Sequence, residues 1–260
     1  MQPMVRPGSQ AEHVGRLILA AIVVLALPAF PFGAYLIYPF VILTTWFHEM
    51  GHGLTALALG QEFQQLQIYA NGSGLAQSRV DADLSPLARA AIAAGGPLAP
   101  TLFGSLLIVA SAHERLWKPA LWFVSAAIFA SVIAYVRSPV GYFVLPLVAA
   151  AIALIAWRAA PGLARFSLQF LGVLGAMSML SDFDYLFTEQ AVIDGRPMLS
   201  DTGQIEAALW LPHWVWAALI LITSAVMIGA SLKYALDEDR LRARPKKLPA
   251  NVLQFRRPKR

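Results

Sequence analysis

The chain has 260 residues, 58% hydrophobic and 13% charged, with 20 Lys and Arg against 15 Asp and Glu. A soluble domain carries about 25% charge, so an ordinary soluble enzyme is excluded. The chain has no cysteine, which removes disulfides, zinc–thiolate sites, iron–sulfur clusters and a thiol nucleophile, so any metal must be held by His, Asp or Glu.

Residues 1–15 are polar and are expected to be disordered. No charge occurs from Leu17 to Phe47, from Pro119 to Val136, or from Ser138 to Trp157, and roughly 20 apolar residues suffice for a membrane helix. The apolar run at Leu17–Pro31 follows a long polar start and lacks a small-x-small cleavage site, so it is expected to stay as a first membrane helix. Pro28, Pro31 and Gly33 divide the run Leu17–Leu59 into two helices, the second from about Ala34 to Leu59 and stopped by Gly60. Gln65–Ala70 alternates, Asn71-Gly72-Ser73-Gly74 follows, and Leu75–Val80 returns; this is the one hairpin signal read from the sequence. Apolar segments then run over about Ala88–Ser111, Pro119–Val136, Val140–Trp157, Leu163–Ser181 and Ala207–Ser231, with a polar stretch, Asp182–Glu206, before the last. The expected fold is an all-α polytopic membrane protein of about seven transmembrane helices with one small β-hairpin after the second helix. Ten-residue alternating segments are rare, which argues against a β-barrel. The expected organisation is a membrane domain over 16–236 and a basic tail over 237–260.

Nine of the twenty Lys and Arg lie between Arg240 and Arg260. A basic tail directly after an apolar segment fits a cytoplasmic membrane surface, and the partner it implies is the bilayer rather than nucleic acid. With seven spans the N-terminus is then outside, and the late half of the second helix faces the outer side.

His48-Glu49-Met50-Gly51-His52 is the pattern H-E-x-x-H. On a helix, positions i and i+4 share one face, so two imidazoles can converge on one metal while Glu49 serves as general base on a water activated there. The motif begins about 20 Å along its helix, where three ionisable groups in an uncharged apolar segment mark a protein-lined functional site. The spacing and setting favour zinc. A catalytic zinc takes three protein ligands and keeps an open position. No third His follows, since Gly53-Leu54-Thr55-Ala56-Leu57 offers none, and Glu62 lies too close. Asp182 and Asp184, at the end of the sixth apolar segment, are the better candidates, because the second and sixth helices run parallel by count. Asp201 is a further acidic candidate, read first as a helix N-cap before Ile205–Leu209.

The sequence Phe47-His48-Glu49-Met50-Gly51-His52-Gly53, the hairpin with Asn71-Gly72-Ser73-Gly74, the segment Ala94-Gly95-Gly96-Pro97-Leu98-Ala99-Pro100 and a late membrane-border aspartate resemble the site-2 protease family, in its compact branch without a PDZ domain. The resemblance is close over Thr44–Leu106 and looser over Leu171–Trp216. It implies a zinc metalloendopeptidase in which His48, His52 and one late Asp bind the metal and Glu49 activates water, acting on membrane-embedded or membrane-adjacent protein or peptide substrates. The family's Asp is matched to Asp182, with Asp184 second. Two departures stand out. Pro100 occupies the place where many members carry Asn, and Leu180-Ser181-Asp182-Phe183-Asp184 stands where they read Leu-Asp-Gly. Site-2 proteases usually cut near the cytosolic side. The count of seven therefore leaves two alternatives: one helix is miscounted or re-entrant, or this site opens the other way. The rival function is a non-proteolytic metal-binding membrane protein, a transporter or chaperone-like relative on the same scaffold. The hairpin suits proteolysis, because an exposed edge strand can capture an extended substrate.

Overall fold

The computed structural model describes residues 10–181 and 183–237. The element order is α1 (Gln10–Ala26), α2 (Gly33–Ala58), β1 (Glu62–Ile68), β2 (Gly74–Arg79), α3 (Pro86–Ser111), α4 (Trp117–Ala134), α5 (Pro139–Arg158), α6 (Pro161–Ser181), α7 (Phe183–Leu186), β3 (Gln190–Ile193), β4 (Arg196–Leu199), α8 (Asp201–Ala208) and α9 (His213–Ala235). Among the described residues, six helices are long and apolar enough to cross a membrane: α1 with its following turn, α3, α4, α5, α6 and α9. A seventh long helix, α2, carries the H-E-x-x-H motif. The chain is an all-α, multi-pass integral membrane protein.

Local chemistry fixes the boundaries. Gly60, at φ +76, ends α2 in the left-handed conformation a C-terminal glycine permits. Ser85 caps α3 by accepting the Ala88 N–H, and Pro86 takes the first helical position, where its missing N–H costs nothing. Helix α1 starts at Gln10, inside the segment expected to be disordered. Glu12 and Arg16 pair one turn apart, and the Arg165 guanidinium of α6 donates to buried His13. The stretch Asp182–Glu206, expected to be a polar connection, contains a second hairpin. Its two-residue turn, Asp194-Gly195, has positive φ at both positions (50 and 75), as a type I′ turn requires.

Helix α3 lies at the centre, packed on α2, α6 and α9. Small residues let the backbones approach. Gly51 of α2 meets the Gly95 carbonyl and Ala99, while Gly104 of α3 meets Gly172 and Gly175 of α6. The apolar core joins Ile42, Leu43, Trp46 and Phe47 of α2 to Leu121 and Ile128 of α4, Leu145 and Ile152 of α5, and Leu168 and Leu171 of α6. The Trp46 indole donates to Ser131 Oγ at 2.8 Å, so its one polar atom is satisfied inside that core.

Hydrogen bonds between distant residues sort the helix ends. Gln10 Nε2 donates to the Leu236 carbonyl (3.1 Å), Arg16 to the Gly162 carbonyl (2.8 Å) and Lys118 to the Trp157 carbonyl (3.4 Å), and His113 shares a hydrogen bond with the Tyr234 hydroxyl (2.9 Å). The start of α1 and the end of α9 therefore lie at one end of the bundle. This corrects the expectation that they lie on opposite sides. The reason is the even number of crossings: α2 runs antiparallel to α3, Phe47 meeting Phe103 and His52 meeting Ile92, and ends beside the start of α3, so α1 and α2 make one crossing between them. Both hairpins and α8 sit at the other end, where Leu66 of β1 forms a parallel bridge to Val136 after α4. Of the expected basic tail, only Asp237 lies within the described residues.

Candidate metal centre

His48 and His52 lie one turn apart on α2 with ring centroids 5.0 Å apart. The carboxylate of Asp201 reaches both rings: Oδ2 is 3.0 Å from His48 Nε2 and Oδ1 is 3.2 Å from His52 Nε2. One ligand atom from each of the three residues falls within 4.8 Å of the others. The second His is fixed from behind, because its Nδ1 lies 2.8 Å from the Ile92 carbonyl. A carbonyl only accepts, so Nδ1 carries the proton and Nε2 of the neutral ring presents a lone pair. That lone pair faces a carboxylate oxygen, and two acceptors in contact require a proton or a cation between them. The donor set, two imidazoles and one carboxylate, suits a divalent metal of the zinc type. Gly96 completes the cradle, since a Cβ there would occupy the space of the His52 ring.

Asp201 is placed by the first turn of α8. Ser200 is the cap, its Oγ accepting the Gly203 N–H at 3.1 Å, so the Asp201 side chain is free of capping duty. The Asp201 N–H donates to the Tyr185 hydroxyl at 3.2 Å, and Thr202 Oγ1 donates to the Leu186 carbonyl at 2.7 Å. Burial alone would raise the Asp201 carboxyl. With a proton on the facing Nε2 atoms, the charge of His52 and the hydrogen bonds from both imidazoles outweigh it and hold the group below the ordinary carboxylate range; a cation held between them would act in the same direction.

Glu49 is buried beside the cluster without belonging to it. Its carboxylate accepts the Ala76 N–H of β2. Gly74 must be glycine here, because a Cβ would lie 2.6 Å from Glu49 Oε1. A cavity of about 510 Å³ opens over these groups, with His48, Glu49, His52 and Asp201 on its floor, β2 on one side and the β3–β4 hairpin on another.

The structure thus brings together His48, Glu49 and His52, and adds Asp201, which the sequence had suggested mainly as a cap. Asp182, matched to the third ligand from the sequence, lies outside the described residues. Asp184, the second choice, is exposed on α7. Tyr185 and Gly96 were not singled out as supports of the site. The signal for Asp201 was present: Ser200 is an equally good cap directly before it, which releases the aspartate. No curated protein and no solved structure matches the chain. The model of the Peptidase M50B-like family matches residues 16–231, and the chain therefore belongs to this family, the site-2 proteases, whose members are membrane-embedded metallopeptidases.

Proposed function

We propose that the protein is a zinc endopeptidase that hydrolyses peptide bonds of membrane-embedded or membrane-adjacent protein segments. In this reading His48, His52 and Asp201 hold the metal and Glu49 is the general base. The observation that carries it is the Asp201 carboxylate lying against both Nε2 atoms, with Glu49 buried beside them under an edge strand. Zinc in such a site would supply Lewis acidity, bringing the pKa of a water toward about 7 and polarising a carbonyl. The chain's own groups do the rest. Glu49 takes a proton from the attacking water and returns it to the leaving amine nitrogen, while the Ala76 N–H orients its carboxylate. The Ile92 carbonyl holds His52 in one tautomer. A helical substrate hides its carbonyls, so the segment must unwind and lie extended along β2.

The test compares metal content and peptide cleavage in the purified protein. His48→Ala, His52→Ala and Asp201→Asn should each lose the single zinc; Asp182→Asn and Asp184→Asn should keep it. Glu49→Gln should retain zinc and lose turnover by about 10²–10⁴-fold. Zinc loss confined to Asp182→Asn would move the third ligand there. Wild-type turnover in Glu49→Gln would remove Glu49 as the general base, and zinc binding with no cleavage by the wild type would favour the non-proteolytic metal-binding reading.

A further inference from the structure

The two walls of the cleft differ in chemistry. On one side is β2. The Leu66 N–H donates to the Tyr135 carbonyl and the Leu66 carbonyl accepts the Arg137 N–H, both at 2.8 Å. Both of its polar backbone groups therefore point away from β2. In an antiparallel ladder the residue opposite such a position also turns its N–H and C=O outward. That residue is Ala76, whose N–H is taken by Glu49 and whose carbonyl stays open, and by the two-residue period Gly74 and Ser78 also turn their groups outward. This wall offers backbone groups, which bind any extended chain without reading its side chains.

The other wall offers side chains. In the β3–β4 ladder Ala191 is opposite Met198, and Ile193 lies two residues along on the same face. These three are half-buried and line the cavity; of the opposite face, Val192 and Leu199 also border it but are exposed, and Pro197 is exposed and does not line it. Among the described residues, β3–β4 forms its own two-stranded sheet, separate from β1–β2. The tips converge: the Tyr69 hydroxyl after β1 is pushed up by burial and by the charge of Asp194 in the second turn. The root is rigidly joined to the metal centre. The Ser200 N–H donates to the Glu189 carbonyl at 2.9 Å, and a Cβ on Gly203 would strike that same carbonyl. The hairpin therefore rides on the turn that presents Asp201.

We propose that the β3–β4 hairpin is the side-chain-reading wall of the cleft. An extended substrate pairs its backbone with β2 and places one apolar side chain, next to the cleaved bond, against Ala191, Ile193 and Met198. Met198 limits the size of that side chain, and Ala191 leaves the space it fills. A charged side chain is disfavoured, because these three residues offer no partner for a desolvated charge. The inference rests on the peptidase reading given above and names the determinant of its selectivity.

The experiment uses the full chain loaded with zinc and a mixture of synthetic 20-residue apolar peptides with a randomised central segment, cut sites being read by mass spectrometry. Met198→Ala should raise the ratio of cleavage beside Phe or Trp to cleavage beside Val or Leu by about tenfold, the scale on which an apolar pocket distinguishes side chains by size. Ala191→Leu should shift the same ratio toward smaller residues. Pro197→Ala should leave it unchanged, and all three variants should keep their zinc. If Met198→Ala does not fold, Ala191→Leu alone decides the matter. Wild-type cleavage with identical preferences in Met198→Ala and Ala191→Leu would overturn the hairpin's role and leave the peptidase standing. A zinc-loaded wild type that cuts no peptide would overturn the peptidase reading and this inference with it.

Discussion

The Tyr185 hydroxyl touches Asp201 twice: it accepts the Asp201 backbone N–H and hydrogen-bonds the carboxylate. Burial and then the neighbouring Asp201 charge push its pKa above the ordinary phenol value, so the O–H remains a donor throughout the working range. Its ring lies edge-on to His48, centroids 6.3 Å apart. Outer partners of this kind orient a metal ligand, and their loss costs about 10–100-fold in metal affinity. Tyr185→Phe keeps the ring and removes the hydroxyl. It should weaken zinc by that factor in competition with a chromophoric chelator, with thermal unfolding of the metal-free protein unchanged. Unaltered zinc affinity would reduce Tyr185 to packing. At this scale the sequence was legible where chemistry is local. His48, Glu49 and His52 share one helix face by spacing alone. The third carboxylate depends on a hairpin that turns the chain back, and no spacing rule reaches from residue 52 to residue 201.

The junction of α8 and α9 shows how a short element supports a long one. Pro212, the residue before α9, offers no side-chain cap. Glu206 serves instead, accepting the His213 backbone N–H at 2.7 Å and its Nδ1–H at 2.8 Å. The His213 amide, and after it the imidazole, hold the Glu206 carboxyl below its ordinary value of 4.5. A carboxyl depressed in the folded state stabilises it above the unfolded value, and that contribution is lost as pH falls through the lowered one. Protection of the amides at the start of α9 against exchange should therefore be greater above the ordinary carboxylate value of 4.5 than well below it. In Glu206→Gln this acid dependence should disappear; a Gln variant with the same acid profile would assign the effect to another group. The sequence ran the last apolar segment through this junction, from Ala207 to Ser231. Hydropathy does not register a break at Leu209–Pro212 whose residues are themselves apolar. The second hairpin was missed for the opposite reason. Its strands are four residues each, too short to alternate convincingly, and the Asp194-Gly195 turn was the only marker.

Across the whole molecule, six crossings place the two ends of the described chain together, and charge then assigns the sides. Arg16, Arg115, Lys118, Arg158 and Lys233 cluster at the end where Gln10 meets Leu236, and an excess of Lys and Arg marks the cytoplasmic side. The hairpins and Asp201 lie at the opposite end. Counting α1 and α2 as one crossing between them removes the odd count but leaves the metal centre in the half of the bundle away from the basic end. The expected topology therefore has the cleft opening away from the cytoplasm, unlike the side on which site-2 proteases usually cut. Because the chain has no cysteine, single replacements report accessibility without background. Ala160→Cys and Asp237→Cys sample the basic end; Asp83→Cys and Trp210→Cys sample the hairpin end, where Trp210 is 89% exposed. A membrane-impermeant maleimide added to intact cells should label positions 83 and 210 and spare 160 and 237, with the pattern reversed in inverted vesicles. The reverse pattern in intact cells would keep the six-crossing bundle and overturn its orientation, bringing the cleft to the cytoplasmic side. Labelling of 160 and 237 from different sides would break the pairing of ends that the Gln10–Leu236 hydrogen bond defines, and would restore a seventh crossing.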